Sequence, residues 1–506
     1  MSMSYKERLS DLDREGPQPV TTQIADAFAA AIESGELAPG AQLPPTRELA
    51  ELAGVNHLTA ARAYRKLAEL GLVSGRVGRG TFVRQAAPEA TRALAEAEDG
   101  SAWQLYALPD EAESHSDRIV GEMFHDVGRD DHIPLMTGYP SDALFPTKRF
   151  AQLIADVTQA EGTRVHQYGE VEGVPELREQ LAILGQSQGW AASGDEIVTT
   201  TGAAQAMTLV AQTLLRPGDV AAVESPSFPG SINSIRATGA SLMPVPVDGE
   251  GLDVDALGQL VRRRQIKLLA LQPRLHNPTG RDLSPERRAR LLELARREGF
   301  FIVEDGVYSD LRFEGSEPGA LRLEDPAHVI YVSSLSKTTS AGLRVGWIAA
   351  RGPVQERIVA AKRSAELNTP QLTELALARF LAEGGHAEQL ETAIPFYRER
   401  CEVLLEAVEG QLAGVARVQR PLGGGHLWLT LPSTIDERDL YEEAYRQGVS
   451  FLPGAAMMPE RPRGAYARLS FGYLDAPELR EGAKRLAAAI RAVGRATRQR
   501  EALPVA

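Results

Sequence analysis

The residues of this chain best suited to chemistry stand just behind short apolar runs. Lys337 closes Ser333-Ser334-Leu335-Ser336-Lys337 after the run 329–332, and Arg344 follows seven residues later in Gly342-Leu343-Arg344-Val345-Gly346. Asp305 follows Phe301-Ile302-Val303, with Tyr308 three residues on, and Asn277-Pro278-Thr279-Gly280 follows Leu268-Leu269-Ala270-Leu271. A lysine amine can form an imine with an aldehyde, and a carboxylate can hold a pyridine nitrogen in its protonated form. A phenol and a carboxamide can hydrogen-bond a ring hydroxyl, while serine and arginine can hold a phosphate. Together these are the needs of pyridoxal 5′-phosphate, whose protonated ring is an electron sink. Lys337 is therefore the candidate for the imine, Asp305 for the ring nitrogen, Tyr308 and Asn277 for the ring oxygen, and Ser334 and Arg344 for the phosphate, with Ser336 in the same set. Thr200-Thr201-Gly202-Ala203-Ala204-Gln205 opens a predicted helix, so the N–H groups of Ala203 and Ala204 suit the phosphate as well. Phe228 can stack on the ring. Arg468, in Arg468-Leu469-Ser470-Phe471, is a planar fork for the carboxylate of an amino-acid-like effector. No metal is called for.

A second chemistry lies near the other end. The net charge of −13 argues against nucleic acid as a partner, yet the charge is unevenly placed. From Asn56 to Arg84 there are six basic residues and one acidic; from Ala86 to Asp117 there are eight acidic residues and only Arg92. A basic patch inside an acidic chain is a local signal for double-stranded DNA.

These residues need elements to position them. Helical spacing over 21–34, a short helix from Thr46 (as N-cap) to Ala53, a turn at Gly54-Val55-Asn56 and a helix from about His57 to Leu70 are followed by two short strands around a glycine-rich turn. The third helix carries an apolar stripe of Leu58, Ala61, Tyr64, Leu67 and Leu70. Residues 86–130 read as an acidic linker. From 131 to about 498, β-rich apolar runs alternate with amphipathic helical ones, which predicts an α/β fold with a mostly parallel sheet buried on both faces. At 506 residues more than one domain is expected. Cys401 is the single cysteine and reads as a buried helical side chain. With no apolar run long enough for a membrane span and none behind Met1-Ser2-Met3-Ser4-Tyr5-Lys6, a reducing cytoplasm is the expected compartment.

Residues from about 17 to 84 resemble the GntR family of winged helix-turn-helix readers. The likeness rests on Gly35-Glu36-Leu37-Ala38-Pro39-Gly40-Ala41-Gln42-Leu43-Pro44, on Thr46-Arg47-Glu48-Leu49-Ala50 and on Gly78-Arg79-Gly80-Thr81-Phe82-Val83. It implies a DNA-binding domain over 15–85. Arg47 would reach a phosphate or base, Asn56, His57, Thr59 and Arg62 would lie at the start of the recognition helix, and Arg76, Arg79 and Thr81 would form the wing. His57 stands where relatives often carry Arg. Residues 131–498 resemble fold type I aminotransferases, and the pairing of the two resembles the MocR/GabR group of regulators, a likeness to which Leu144-Phe145-Pro146 adds. That resemblance implies a head-to-tail homodimer. Tyr168, with Gly169, Gly173, Leu177 and Arg178, would reach the phosphate of the neighbouring subunit. Ala203 and Ala204 lack the hydroxyls, and Phe228 the phenol, that relatives often have. Three functions stay open on the sequence: a regulator sensing an amino compound or the cofactor itself, a working aminotransferase with an accessory reader, and a constitutive DNA binder whose cofactor is structural.

Overall fold

The structure, a computed structural model, describes residues 9, 12–13, 18–34, 36–38, 41–69, 72–76, 80–83, 131–460, 462 and 464–502. The predicted linker, Arg79 and the side chain of Arg76 lie outside the described set. The chain divides into two units, Met1–Ala112 and Glu113–Ala506.

In the first unit three helices precede a hairpin: α1 (Val20–Glu33), α2 (Thr46–Ala53), α3 (His57–Glu69), β1 (Val73–Arg76) and β2 (Gly80–Val83). The strands pair antiparallel from Val73 opposite Val83 to Arg76 opposite Gly80. Ile24, Phe28, Leu49, Ala60, Tyr64, Leu67, Val73 and Val83 share one small core. Tyr64 packs edge-on against Phe28, with centroids 6.2 Å apart, and donates its hydroxyl to the Pro44 carbonyl at 2.6 Å. Gly54 stops α2 in the left-handed region at φ 60°, which lets the Val55 N–H return to the Ala50 carbonyl at 2.9 Å. Two expectations need correction. Pro45, not Thr46, is the N-cap of α2, because a proline's fixed φ and missing N–H suit the position before the first turn. Of the predicted stripe of α3, Tyr64 and Leu67 are buried, but Leu58 is 67% exposed and Ala61 only half-buried; Ala60 and Ala63 complete the buried face, and Leu70 lies outside the described residues.

The second unit is built on an eight-stranded sheet in the order β4-β11-β10-β9-β8-β5-β6-β7. A two-residue strand, β3 (Ile133–Pro134), precedes it. The sheet strands are β4 (Ile197–Thr200), β5 (Val220–Ser225), β6 (Ser241–Asp248), β7 (Gly251–Leu252), β8 (Leu268–Leu271), β9 (Phe301–Asp305), β10 (Val329–Ser334) and β11 (Gly346–Ala349). Neighbours among β6, β5, β8, β9 and β10 are parallel; β11 runs antiparallel to both β10 and β4. Every residue of β4, β8, β10 and β11 is buried, which is why these runs carry no polar alternation. Helix α4 (Ala203–Leu214) leaves the end of β4 across one face. A smaller sheet follows, β12 (Arg417–Val418), β13 (His426–Leu431), β16 (Ala465–Ser470) and β15 (Leu452–Pro453), while β14 (Val449–Ser450) pairs with β3. It is packed by the long helices α5 (Gly385–Leu412) and α6 (Ala476–Ala502), and Cys401 is buried in α5 as expected. Because β4, β5, β8, β9 and β10 point the same way, their carboxyl ends share one edge of the sheet, where an open α/β fold places its ligand.

Candidate functional site

One cavity of about 390 Å³ opens at that edge, within the usual range of small-molecule sites. Ala203, Ala204, Phe228, Asn277, Asp305, Tyr308, Ser334, Ser336, Lys337, Arg344 and Arg468, all predicted, line it together. They come from several strand ends and turns far apart in the chain, and only the sheet makes them neighbours. Tyr168 is not among them: it is 83% exposed, so within a single chain it holds nothing.

The phosphate corner forms where α4 begins. Ala206 is the first residue of that helix to pair backward, to the Gly202 carbonyl, so the N–H groups of Ala203 and Ala204 are left for a ligand. Arg344 lies across this end, its Nη2 donating to the Thr201 carbonyl at 3.3 Å. It does so from φ 53°, a conformation that side-chain-bearing residues rarely adopt. Ser334 and Ser336 stand opposite with their hydroxyl oxygens 3.1 Å apart. Gly346 lets β11 approach: a Cβ there would sit 2.5 Å from the Gly202 carbonyl carbon and 2.6 Å from the Ala203 nitrogen. Since both are backbone atoms that hold the corner, Gly346→Ala is expected to cost about 1–3 kcal/mol of stability and to weaken cofactor retention. Thermal melting and cofactor content after dialysis check this; wild-type values in both would refute it.

The ring corner is electrostatically graded. Burial pushes Asp305 up to about 6, opposed by the Val307 N–H (3.0 Å to Oδ1), by the Gln272 side chain and by the charge of Lys337. It thus stays largely ionised near neutrality, ready for a protonated ring nitrogen. Burial, helped by Arg468, brings Lys337 down to about 8, and its Nζ donates to the Gly138 carbonyl at 2.8 Å. About a tenth of such an amine is neutral at pH 7, against roughly 0.03% for an ordinary lysine; only the neutral form attacks an aldehyde. Burial also raises the Tyr308 phenol, so it remains a protonated donor. Arg468 is 3% exposed; Nη2 donates to the Met136 carbonyl at 2.8 Å, Nη1 lies 3.5 Å from Asn277 Oδ1, and Nε is buried without a hydrogen-bond partner. An unpaired buried guanidinium N–H is costly, and a ligand carboxylate is the group that relieves it. Phe228 forms one wall, its ring against Gly230.

Sequence reasoning missed Gln272. This buried residue sits just past β8; its carboxamide oxygen accepts the Asn277 N–H at 2.9 Å while its backbone N–H donates to Glu224 at 2.7 Å. Its place at a strand end was the available signal. Glu224 also lies 3.4 Å from His276 Nε2, but this is no ion pair: burial brings His276 down to about 4 and pushes Glu224 toward its neutral form.

The donors, the carboxylate and the amine fit pyridoxal 5′-phosphate, with the helix end and Arg344 at its phosphate and Asp305 at its ring nitrogen. Bound there, the cofactor supplies a ring that withdraws electrons from the carbon beside an amine. Comparison with known proteins agrees. Residues 130–486 match the model "Aminotransferase class I and II" and residues 20–83 match "Bacterial regulatory proteins, gntR family". The chain is 32% identical to the HTH-type transcriptional regulator TauR of Rhodobacter capsulatus over 470 residues, 91% of this chain and 94% of that one. It is 28% identical to the probable rhizopine catabolism regulatory protein MocR of Rhizobium meliloti over 491 residues, 95% and 96% of the two. The chain belongs to the MocR-type regulators of the gntR family. Its large unit is also similar to LysN, the α-aminoadipate aminotransferase of Thermus thermophilus solved with N-(5′-phosphopyridoxyl)-L-leucine. That match has a TM-score of 0.69 and 30% identity, and covers 75% of this chain and 99% of the other. As a MocR-type protein the chain is a DNA-binding transcriptional regulator dependent on pyridoxal phosphate.

In the reader of this MocR-type chain, Arg47, Asn56, His57 and Arg62 are exposed and Thr59 and Thr81 half-buried. Asn56 and Thr59 are engaged with each other. Asn56 Oδ1 accepts the Thr59 N–H at 2.8 Å and the Thr59 hydroxyl at 3.0 Å, which makes Asn56 the cap of α3 and leaves its carboxamide N–H for DNA. Among the described residues no helix is long and apolar enough to cross a membrane.

Proposed function

We propose that this regulator senses an amino-acid-like effector, or the cofactor itself, and converts occupancy of the Lys337 cavity into a changed grip on an operator. The supporting observation is the convergence of Lys337, Asp305 and Arg468 in one cavity of a chain whose first segment is a gntR-type reader. Lys337 holds the cofactor, Asp305 its ring nitrogen, Asn277 and Tyr308 its ring oxygen, and Arg468 the effector carboxylate. Ala203, Ala204, Ser334, Ser336 and Arg344 hold the phosphate, and Phe228 covers the ring. The working unit is a cytoplasmic head-to-tail homodimer in which the exposed Tyr168 completes the partner's phosphate site. The segment between reader and large unit, even half extended, spans tens of ångströms at roughly 3.3 Å per fully extended residue, enough to cross between subunits. Arg47, Asn56, His57, Thr59, Arg62, Arg76, Arg79 and Thr81 meet the duplex, and exposed Leu58 at the head of α3 suits a thymine methyl.

An effector shifts DNA affinity only by its preference for one arrangement over another, typically about 5- to 150-fold. The test titrates full-length protein on DNA from its own upstream region, with cofactor alone and with each common amino acid. At least one amino acid is expected to change affinity about fivefold or more; no change with any of them removes the sensing reading. The same titration across salt is expected to show log affinity falling with log salt at a slope of about −4 or steeper, because each phosphate contact releases a counterion. Salt-independent binding would sink the DNA contacts named above.

One observation favours a second reading. Lys337, Asp305 and Arg468 are all in place for transamination, so the protein would be an aminotransferase with an accessory reader. Sustained amino-group transfer to a keto acid over many turnovers supports it; a spectral response that stops after one equivalent supports the sensor.

A further inference from the structure

We propose that His426 is a positioning residue for Tyr308: its ring Nε2–H fixes the Tyr308 hydroxyl so that the phenol donates into the cofactor cavity. This rests on the cofactor reading above and adds a residue to it.

His426 opens β13 and stands directly opposite Ser470 of β16 in the antiparallel ladder, so the backbone register sets both side chains on the same wall. His426 Nε2 lies 2.9 Å from the Tyr308 hydroxyl, and Nδ1 lies 3.1 Å from Ser470 Oγ. The two rings meet edge-on at 5.3 Å and 71°. The distances around Ser470 favour one tautomer. Ser470 has one to give and two acceptors, Nδ1 at 3.1 Å and the Met136 carbonyl at 3.4 Å. Met136 is already served by Arg468 at 2.8 Å. The shorter contact favours Ser470 donating to Nδ1; the ring proton then sits on Nε2, and His426 donates to the Tyr308 oxygen. The Tyr308 proton is then turned from the histidine toward the cavity that Tyr308 lines. The opposite tautomer would leave Nδ1 donating to Ser470, and Tyr308 donating to the histidine with only a lone pair facing the cofactor.

The groups facing His426 hold it in one charge state. Complete burial, helped by the cationic neighbours Arg468 from β16 and Lys337 beyond β10, keeps the ring neutral, with its pKa far below the ordinary range. Tyr308, from the turn after β9, is the remaining titratable contact and is itself protonated. The chain Ser470 to His426 to Tyr308 is thus a fixed row of donors ending at the place a ring oxygen would occupy. A phenol so polarised stabilises negative charge on that oxygen and lowers the proton affinity of the cofactor's attachment to Lys337.

The experiment is a pH titration of the visible band of reconstituted full-length protein. His426→Phe keeps the ring shape and removes both nitrogens; its midpoint is expected to rise by about one unit, a tenfold change in proton affinity. His426→Gln, whose amide N–H reaches near the Nε2 position, is expected to stay within about threefold of wild type (a single neutral hydrogen bond retained). Tyr308→Phe should shift the midpoint upward by itself, and His426→Phe should add nothing in that background, since it acts through the phenol. An unchanged midpoint in His426→Phe, or an equal shift with and without Tyr308, overturns the proposal. Should His426→Phe fail to fold, Ser470→Ala removes the donor that sets the tautomer and must shift the midpoint in the same direction; no shift is again decisive against it. A wild-type protein that takes up no cofactor would remove the cofactor reading and this inference together, whereas a coloured wild type with unmoved variants removes this inference alone.

Discussion

Lys337→Ala is expected to leave the reconstituted protein without its visible band and without response to any amino acid. Among the described residues Lys337 is the sole lysine lining the cavity, and it is placed at the end of β10 where the sheet edge, Asp305 and the phosphate corner converge. Its environment favours attachment: burial and the neighbouring Arg468 lower its amine to about 8. Alanine has no nitrogen to bond, so the loss is complete and not graded. The phosphate corner, made by Ala203, Ala204, Ser334 and Arg344, is untouched by the change. The variant should therefore still bind cofactor reversibly, with an absorbance like that of the free aldehyde. Reduction with borohydride followed by peptide mass analysis gives an independent reading. Wild type should carry the cofactor on the peptide containing Lys337, and the variant on none. A variant that keeps a wild-type spectrum would mean another amine does this work.

The second large effect is expected at Arg468. Arg468→Ala removes the guanidinium whose Nε is buried without a partner. The carboxylate of an effector would then lose a charge-assisted bidentate contact to a buried guanidinium. Losing one partner of such a buried pair costs about 2–4 kcal/mol, so effector binding should weaken roughly 30- to 900-fold. Arg468→Lys keeps the charge but not the fork, and its loss should fall between the two. The measurement is the spectral titration of effector against cofactor-loaded protein. An effector that binds Arg468→Ala as tightly as wild type would place its carboxylate elsewhere. Cofactor attachment itself should persist, because Arg468 touches Asn277 and Met136 and not the phosphate corner.

Why was so much of this site legible in the sequence? Each of its parts is a short local pattern: an apolar run that must be a buried strand, then a residue with a reactive group. Lys337 after β10, Asp305 after β9 and Ala203 after β4 are each found by reading a few residues, since strand ends are marked by where the apolar run stops. The reader was legible for a similar reason. Its three helices are separated by Gly54 and by prolines, whose backbone preferences act locally. Misreadings occurred where a neighbour or the packing, and not the residue type, sets the role. Thr46 reads as a cap until Pro45 takes that position. Leu58 reads as core by type, but the phase of α3 is decided by which face meets Phe28 and Leu49.

The amino-acid sequence by itself determined the two-part organisation, the α/β class, the cofactor and nearly all the groups that would hold it, because these depend on residue type and on neighbours close along the chain. Tertiary structure alone decided which of those groups share a cavity, that Tyr168 stands outside it, and that Gln272 and His426 support it from behind. Those facts depend on strand order and cross-strand register. His426 and Ser470, 44 residues apart, become partners only when β13 pairs with β16.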